Sequence, residues 1–164
     1  MCSCSTGSNA SPEIADHTPH ELELRIISEI YHACHFLRRF RDDIFMVYIG
    51  TNNELTDFVH TINELHATFK FSFGNSQQSV TFLDVEIFKG PRYDQQQIID
   101  LRTHTKQTDT FQYLHRESCH PTATFKWFVK GEILRYACTC NKVDFDKKTK
   151  FFTNELMERG YNEN

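Results

Sequence analysis

Leu37-Arg38-Arg39-Phe40-Arg41-Asp42-Asp43-Ile44-Phe45-Met46-Val47-Tyr48-Ile49 decides how the chain is read, because two adjacent acids interrupt what are otherwise two runs of strand character. Two-residue hairpin loops favour Asn-Gly, Asp-Gly or Gly-Gly, residues that accept φ > 0 at little cost. Asp-Asp is a poor connector by comparison, since carboxylates a few ångströms apart repel by roughly 4 kcal/mol at an effective dielectric of about 20. A divalent cation reverses the sign. Hard cations such as Mg²⁺ are held by one or two carboxylates together with substrate phosphates, the arrangement of polymerase sites. With ten Asp in the chain, an Asp-Asp pair also arises by chance, and a solvated acidic turn is the plain alternative. The surrounding sequence has to decide.

The chain has 164 residues, enough for one domain or one and a half. Its apolar fraction of 39% is lean, yet fifteen Phe, six Tyr and one Trp supply bulky core material. No run approaches the eighteen apolar residues of a membrane span, and Met1-Cys2-Ser3-Cys4-Ser5 lacks the basic-then-apolar pattern of a secretory signal. An intracellular protein, in nucleus or cytoplasm and off the membrane, is expected. Six cysteines, at 2, 4, 34, 119, 138 and 140, are irregularly spaced and are expected to be reduced thiols. His115, Cys119, His120, Cys138 and Cys140 make a weak zinc set, because Cys-x-Cys is not the usual Cys-x₂-Cys knuckle and no second half exists.

The net charge is −4, and it is unevenly placed. Up to Phe36 the single base Arg25 faces Glu13, Asp16, Glu21, Glu23 and Glu29, so this stretch carries the whole excess and the remainder is neutral. Towards the C-terminus Lys126, Lys130, Arg135, Lys142, Lys147, Lys148 and Lys150 outnumber Glu132, Asp144 and Asp146, which predicts a phosphate-facing surface.

Residues 1–20, rich in Ser, Thr, Asn, Pro and His, are expected to form a flexible arm, and Leu22, Ile26, Ile27, Ile30 and Tyr31 predict a short amphipathic helix within 21–35. After the Asp-Asp hairpin, Thr51-Asn52-Asn53-Glu54 has the form of a capping box. Leu55, Phe58, Val59, Ile62, Leu65 and Phe69 then mark a helix lying on a sheet. A second hairpin is predicted from the alternation of Phe69-Lys70-Phe71-Ser72-Phe73, the turn at 74–79, and one continuous strand from Val80 to Phe88. In that strand Leu83, Val85 and Ile87 would share one face; Asp84 and Glu86 would share the other, more plausibly as ordinary solvent-facing residues than as an acid/base pair. Gly90-Pro91 closes it, and Gln97–Thr103 predicts a last short strand. From His120-Pro121 the period turns helical, with Phe125, Phe128, Val129, Ile133, Leu134 and Ala137 on one face, followed by a second helix from about Phe145 to Glu158.

The order of these elements is α+β: antiparallel hairpins with one packed helix, then a helical layer, an order similar to that of the second half of a polymerase palm followed by a thumb. Phe40-Arg41-Asp42-Asp43 resembles the aromatic-x-Asp-Asp turn of reverse transcriptases. Val80-Thr81-Phe82-Leu83-Asp84-Val85, Thr108-Asp109-Thr110-Phe111-Gln112-Tyr113-Leu114-His115, Ser118-Cys119-His120-Pro121, Lys130-Gly131-Glu132-Ile133-Leu134-Arg135 and Glu158-Arg159-Gly160-Tyr161 are similar, in order and spacing, to segments of the Penelope-like retroelement branch. The resemblance runs from about residue 36 to residue 161. The flexible arm and short helix expected over 1–35 lie outside the likeness, which implies a partial palm over 36–104 and a thumb-like or helix-turn-helix-like region over 105–164. It also implies an RNA-directed DNA polymerase lineage with Asp42 and Asp43 as catalytic ligands of Mg²⁺ or Mn²⁺, and an RNA template and a DNA primer as partners. Phe40 and Arg41 would lie along the nucleic acid, Phe82, Leu83 and Asp84 would grip the primer end, and Lys126, Lys130 and Arg135 would contact phosphates.

Departures accompany the matches. Phe40 stands where Tyr is usual, and Gln107 where a Pro commonly precedes Thr-Asp-Thr. Asp16, the only Asp before the hairpin, lies in the Pro- and His-rich arm, so no upstream strand supplies the further metal ligand the family uses. The expectation is a fragment lacking fingers and upstream palm, catalytically incomplete alone. Two other functions compete: a nucleic-acid-binding helix-turn-helix-like module, and an oligomerising interaction protein that self-associates through an exposed sheet edge.

Overall fold

A computed structural model describes residues 24, 26, 28, 32–65 and 70–162. The chain divides into two compact units, Met1–Gly74 and Asn75–Asn164. The class is α+β, with antiparallel sheets and a helical C-terminal region.

In the first unit β1 (Cys34–Phe40) pairs antiparallel with β2 (Asp43–Tyr48), with a register shift between Cys34 and Phe36. Phe40 lies opposite Asp43, so the two-residue loop is Arg41-Asp42, and the tight turn expected at Asp42-Asp43 sits one residue earlier. Arg41 has φ 55° while Asp42 does not enter the left-handed region, the pattern of a type II′ turn. Asp43 is thereby the first residue of a strand rather than half of a loop.

The capping box forms as predicted. The Thr51 N–H donates to Glu54 Oε2 at 2.7 Å, the Glu54 N–H donates to Thr51 Oγ1 at 3.3 Å, and α1 spans Asn52–Leu65. The Thr51 backbone N–H most of all, and then the Thr51 hydroxyl, which donates to the same Oε2 at 2.9 Å, hold the Glu54 carboxyl below its ordinary pKa. Leu55 and Ile62 are buried, and Ile62 packs on Ile26, with Leu37, Phe58 and Phe71 around them. Residues 24, 26 and 28 are helical; the chain has left that helix by Cys34, which begins β1 and shortens the helix expected up to residue 35. The arm at 1–20 and the expected helix positions Leu22, Ile27, Ile30 and Tyr31 lie outside the described residues, as does Phe69.

No strand forms over 70–73. Asn63 takes the place of a strand partner: its Oδ1 accepts the Phe71 N–H at 2.6 Å and its Nδ2 donates to the Phe71 carbonyl at 2.9 Å. One side chain satisfies both backbone groups of Phe71, leaving the ring free to join the Ile26–Ile62 cluster.

In the second unit the expected single strand over Val80–Phe88 is itself a hairpin. β3 (Ser79–Phe82) turns through Leu83-Asp84 into β4 (Val85–Phe88), with Phe82 opposite Val85 and Leu83 at φ 54°. The turn places Asp84 outside the strand, so Asp84 and Glu86 share no strand face. β4 pairs next with β5 (Asp100–Thr103), completing the order β3-β4-β5. Glu86 faces Arg102 across that pair and accepts two 2.7 Å hydrogen bonds from its Nε and Nη2, which depress the Glu86 pKa.

Between β4 and β5 lies a helix the sequence pattern misses, α2 (Pro91–Gln96), with Pro at its start and Gln97 in the left-handed region at its end. Six residues are too few for an apolar stripe. Its Arg92 reaches Asp100, whose carboxylate is buried at 3% side-chain exposure and accepts from Nε at 2.8 Å and from Nη2. Gly90 closes over the same carboxylate, where an added Cβ would overlap it.

Two helices follow, α3 (Thr122–Thr139) and α4 (Lys142–Glu158), the second starting three residues before the expected Phe145. Their core is Tyr136, Phe152 and Leu156, ringed by Tyr113, Phe128, Val129, Phe145 and Tyr161. Phe152 meets Tyr113, Phe128 and Tyr136 edge-on at centroid distances of 5.0, 5.8 and 5.9 Å, the geometry aromatic quadrupoles prefer. Phe125 is buried as expected, but Ile133 and Leu134 are not: they are 40% and 53% exposed, and Tyr136 takes the inward position.

Candidate nucleic-acid interface

The helix pair is joined by only Cys140 and Asn141, and Asn141 organises the junction. Its Oδ1 accepts the Asp144 N–H at 2.9 Å, capping α4, while its Nδ2 donates to Asp144 Oδ2 at 2.9 Å. Its backbone N–H donates to the Leu101 carbonyl on β5 at 2.7 Å. Next to it the Thr103 and Thr139 hydroxyls meet at 2.6 Å, and the Thr103 N–H donates to Cys140 Sγ at 3.3 Å. The bend between helices is thus clamped to the edge of the three-stranded sheet.

With Phe145, Phe152 and Leu156 turned inward, the outer stripe of α4 carries Val143, Lys147, Lys150 and Asn154, at intervals of four, three and four, all exposed. Two cations and an amide on the exposed face of the second helix are groups suited to phosphates and base edges. Lys148 faces elsewhere and donates to Thr105 Oγ1 at 2.6 Å. Lys147, Lys150 and Asn154 all fall within the helix expected from about Phe145; Val143 joins their face only because α4 begins at Lys142.

The other expected nucleic-acid contacts are dispersed. Asp84 and Arg135 line one cavity of about 240 Å³ with His104, Tyr113 and Lys148, and Arg135 donates from Nε to Glu132 Oε2 at 3.0 Å. Leu83 is exposed at the hairpin tip and Phe82 half-buried beside it. Lys126 and Lys130 line a different groove on α3. In the first unit Phe40 and Arg41 are exposed, the guanidinium 5.6 Å from the ring centroid.

Asp42 and Asp43 are exposed on that same hairpin. Among the described residues no third Asp, Glu, His or Cys joins them in a metal-holding group, so these two carboxylates supply only part of a hard-cation donor set. The weak zinc set does not converge either. Cys140 bonds to Thr103, His120 Nδ1 lies 3.0 Å from Ser118 Oγ, and His115 Nδ1 accepts from the Glu117 N–H at 3.2 Å. Cys34, Cys119, Cys138 and Cys140 are free thiols.

Residues 112–164 match the family model described as an animal helix-turn-helix domain. The matched segment contains α3, the Cys140-Asn141 junction and α4, and neither hairpin. No curated protein and no solved structure is significantly similar to the chain. No helix among the described residues is long and apolar enough to cross a membrane.

Proposed function

We propose that the C-terminal helix pair is a nucleic-acid-binding helix-turn-helix module that presents α4 to a duplex. The observation that carries this is the helix-turn-helix match over residues 112–164, laid on a two-residue junction whose second helix exposes Lys147, Lys150 and Asn154 in one stripe. In such modules the second helix enters the major groove. Lys147 and Lys150 neutralise phosphates, Asn154 has the paired donor and acceptor that match adenine, and Val143 offers an apolar contact. The clamp from Asn141 to Leu101 holds the helix at a set angle, so docking costs little ordering.

Fluorescence anisotropy with labelled duplex DNA over a salt series tests the proposal. Binding should weaken steeply with salt, and each of Lys147→Ala and Lys150→Ala should flatten the log–log slope by about 0.9. Asn154→Ala should relax sequence preference more than it lowers affinity. Absence of duplex binding at about 50 mM salt would overturn it, as would an affinity that does not change across the series.

A second proposal, descent from a reverse-transcriptase lineage, is favoured by the exposed Asp42 and Asp43 on a type II′ hairpin, beside the ordered motifs over 36–161. On this reading Asp42 and Asp43 would hold Mg²⁺ or Mn²⁺ together with phosphates of an RNA template–DNA primer substrate, and the ion would neutralise charge developing on the transferred phosphoryl group. Paramagnetic broadening by Mn²⁺ should centre on Asp42 and Asp43 and vanish in Asp42→Asn/Asp43→Asn. Because no third metal ligand joins these carboxylates among the described residues, primer extension is not expected, and extension abolished by Asp42→Asn would contradict that.

A further inference from the structure

The outer face of α3 does not resemble a surface made for phosphates. Phe125, Val129, Ile133, Leu134 and Tyr161 line an open groove of about 540 Å³, and Trp127 stands beside it at 62% exposure. Lys126, Trp127, Lys130, Ile133 and Leu134 recur at three- and four-residue spacing, the pattern of a helix face that packs against another element. A single exposed apolar residue needs no explanation; Trp127, Ile133 and Leu134 exposed on one face over about two turns do.

The charges of this face have one sign. Arg116, Lys126 and Lys130 line the groove with no acid among its lining residues, and none of the three has an ion-pair partner among the described residues. Two of them lie over aromatic rings instead: the Arg116 guanidinium 4.7 Å from the Phe125 centroid, and Lys130 Nζ 4.9 Å from that of Trp127. A duplex backbone would satisfy the cations but would leave Ile133, Leu134 and Trp127 against hydrated phosphates, losing the benefit of burying them. A partner with an apolar stripe flanked by carboxylates satisfies both.

We propose that the outer face of α3 docks an acidic amphipathic helix of a partner protein, separately from the nucleic-acid face on α4. The partner's apolar stripe lies in the groove over Val129, Ile133 and Leu134, and its carboxylates reach Arg116, Lys126 and Lys130. This is helix-in-groove recognition, in which apolar anchors give affinity and rim charges select the partner.

Trp127 is the only tryptophan, so its emission reports on this face alone. The full chain is titrated with a synthetic helix of about 15 residues, leucines on one face and glutamates on the other, and with its glutamate-to-lysine counterpart. The glutamate helix should shift Trp127 emission to the blue and saturate; the lysine helix should not. Lys126→Glu/Lys130→Glu should weaken the glutamate helix by about ten-fold and reverse the preference, an exchange that a misfolded variant cannot produce. Equal response to both helices, no response to either, or a Trp127 response to duplex DNA alone would each overturn the proposal. Lys147→Ala/Lys150→Ala should retain peptide binding while losing duplex affinity, which separates failure of this face from failure of the α4 face.

Discussion

The Asn141 N–H donates to the Leu101 carbonyl at 2.7 Å, joining the helix junction to a strand forty residues earlier in the chain. Through this bond the direction of α4 is set by the sheet as well as by its packing on α3. A surface helix presented for recognition gains from such a clamp, because orientation established in the free protein is not lost as entropy on binding.

Asn141→Ala removes the side-chain cap from Asp144 while retaining the backbone bond to Leu101. A loss of about 1 kcal/mol is expected, as for other N-cap truncations. Urea unfolding followed by far-UV circular dichroism checks it; an unchanged midpoint would mean that the cap contributes nothing.

Arg92 and Asp100 should respond unequally. Asp100 is buried and Arg92 half-exposed, so Arg92→Met strands a carboxylate in the interior, whereas Asp100→Asn leaves a guanidinium that water can solvate. Arg92→Met should cost about 3 kcal/mol and Asp100→Asn clearly less. The order of the two denaturation midpoints is the readout.

Asn63→Ala leaves the Phe71 N–H and carbonyl without their side-chain partner. The expected loss is about 1–3 kcal/mol, felt in the first unit. Hydrogen exchange should accelerate at the Phe71 amide and across α1 while the amides of α4 keep their protection.

Burial, followed by the hydrogen bond with Tyr113, pushes the Tyr136 phenol above its ordinary pKa, and burial also raises Tyr113 and Tyr161. The unfolded chain ionises these phenols near pH 10 while the folded protein retains their protons. Their contribution is therefore intact below about pH 10 and falls as pH rises beyond it, where the unfolded state binds fewer protons. Tyr136→Phe should flatten the loss of stability between about pH 9 and pH 11, measured by urea midpoints across that range.

What the sequence determined by itself lies close along the chain. Thr51 and Glu54 cap α1 because their partners are three residues away, and the stripe of Leu55, Phe58 and Ile62 buries the face it predicts. The first hairpin and the two long C-terminal helices are legible for the same reason: periodicity over many residues outweighs any single contact. The basic residues of α4 are legible too, and so is an α+β order.

Only the tertiary structure decided the rest. Val80–Phe88 alternates like one strand, yet the chain reverses through Leu83 and Asp84, so that β4 pairs with β3 on one edge and with β5 on the other, a choice among partners that alternation alone does not contain. Phe71 looks like strand and is held by Asn63 instead. Ile133 and Leu134 carry helical spacing, but Tyr136 and Phe152 occupy the inward position and leave them on the outer face. A side chain's type sets what it can do; which groups face it depends on segments tens of residues away, and that pairing is settled by packing rather than by local preference.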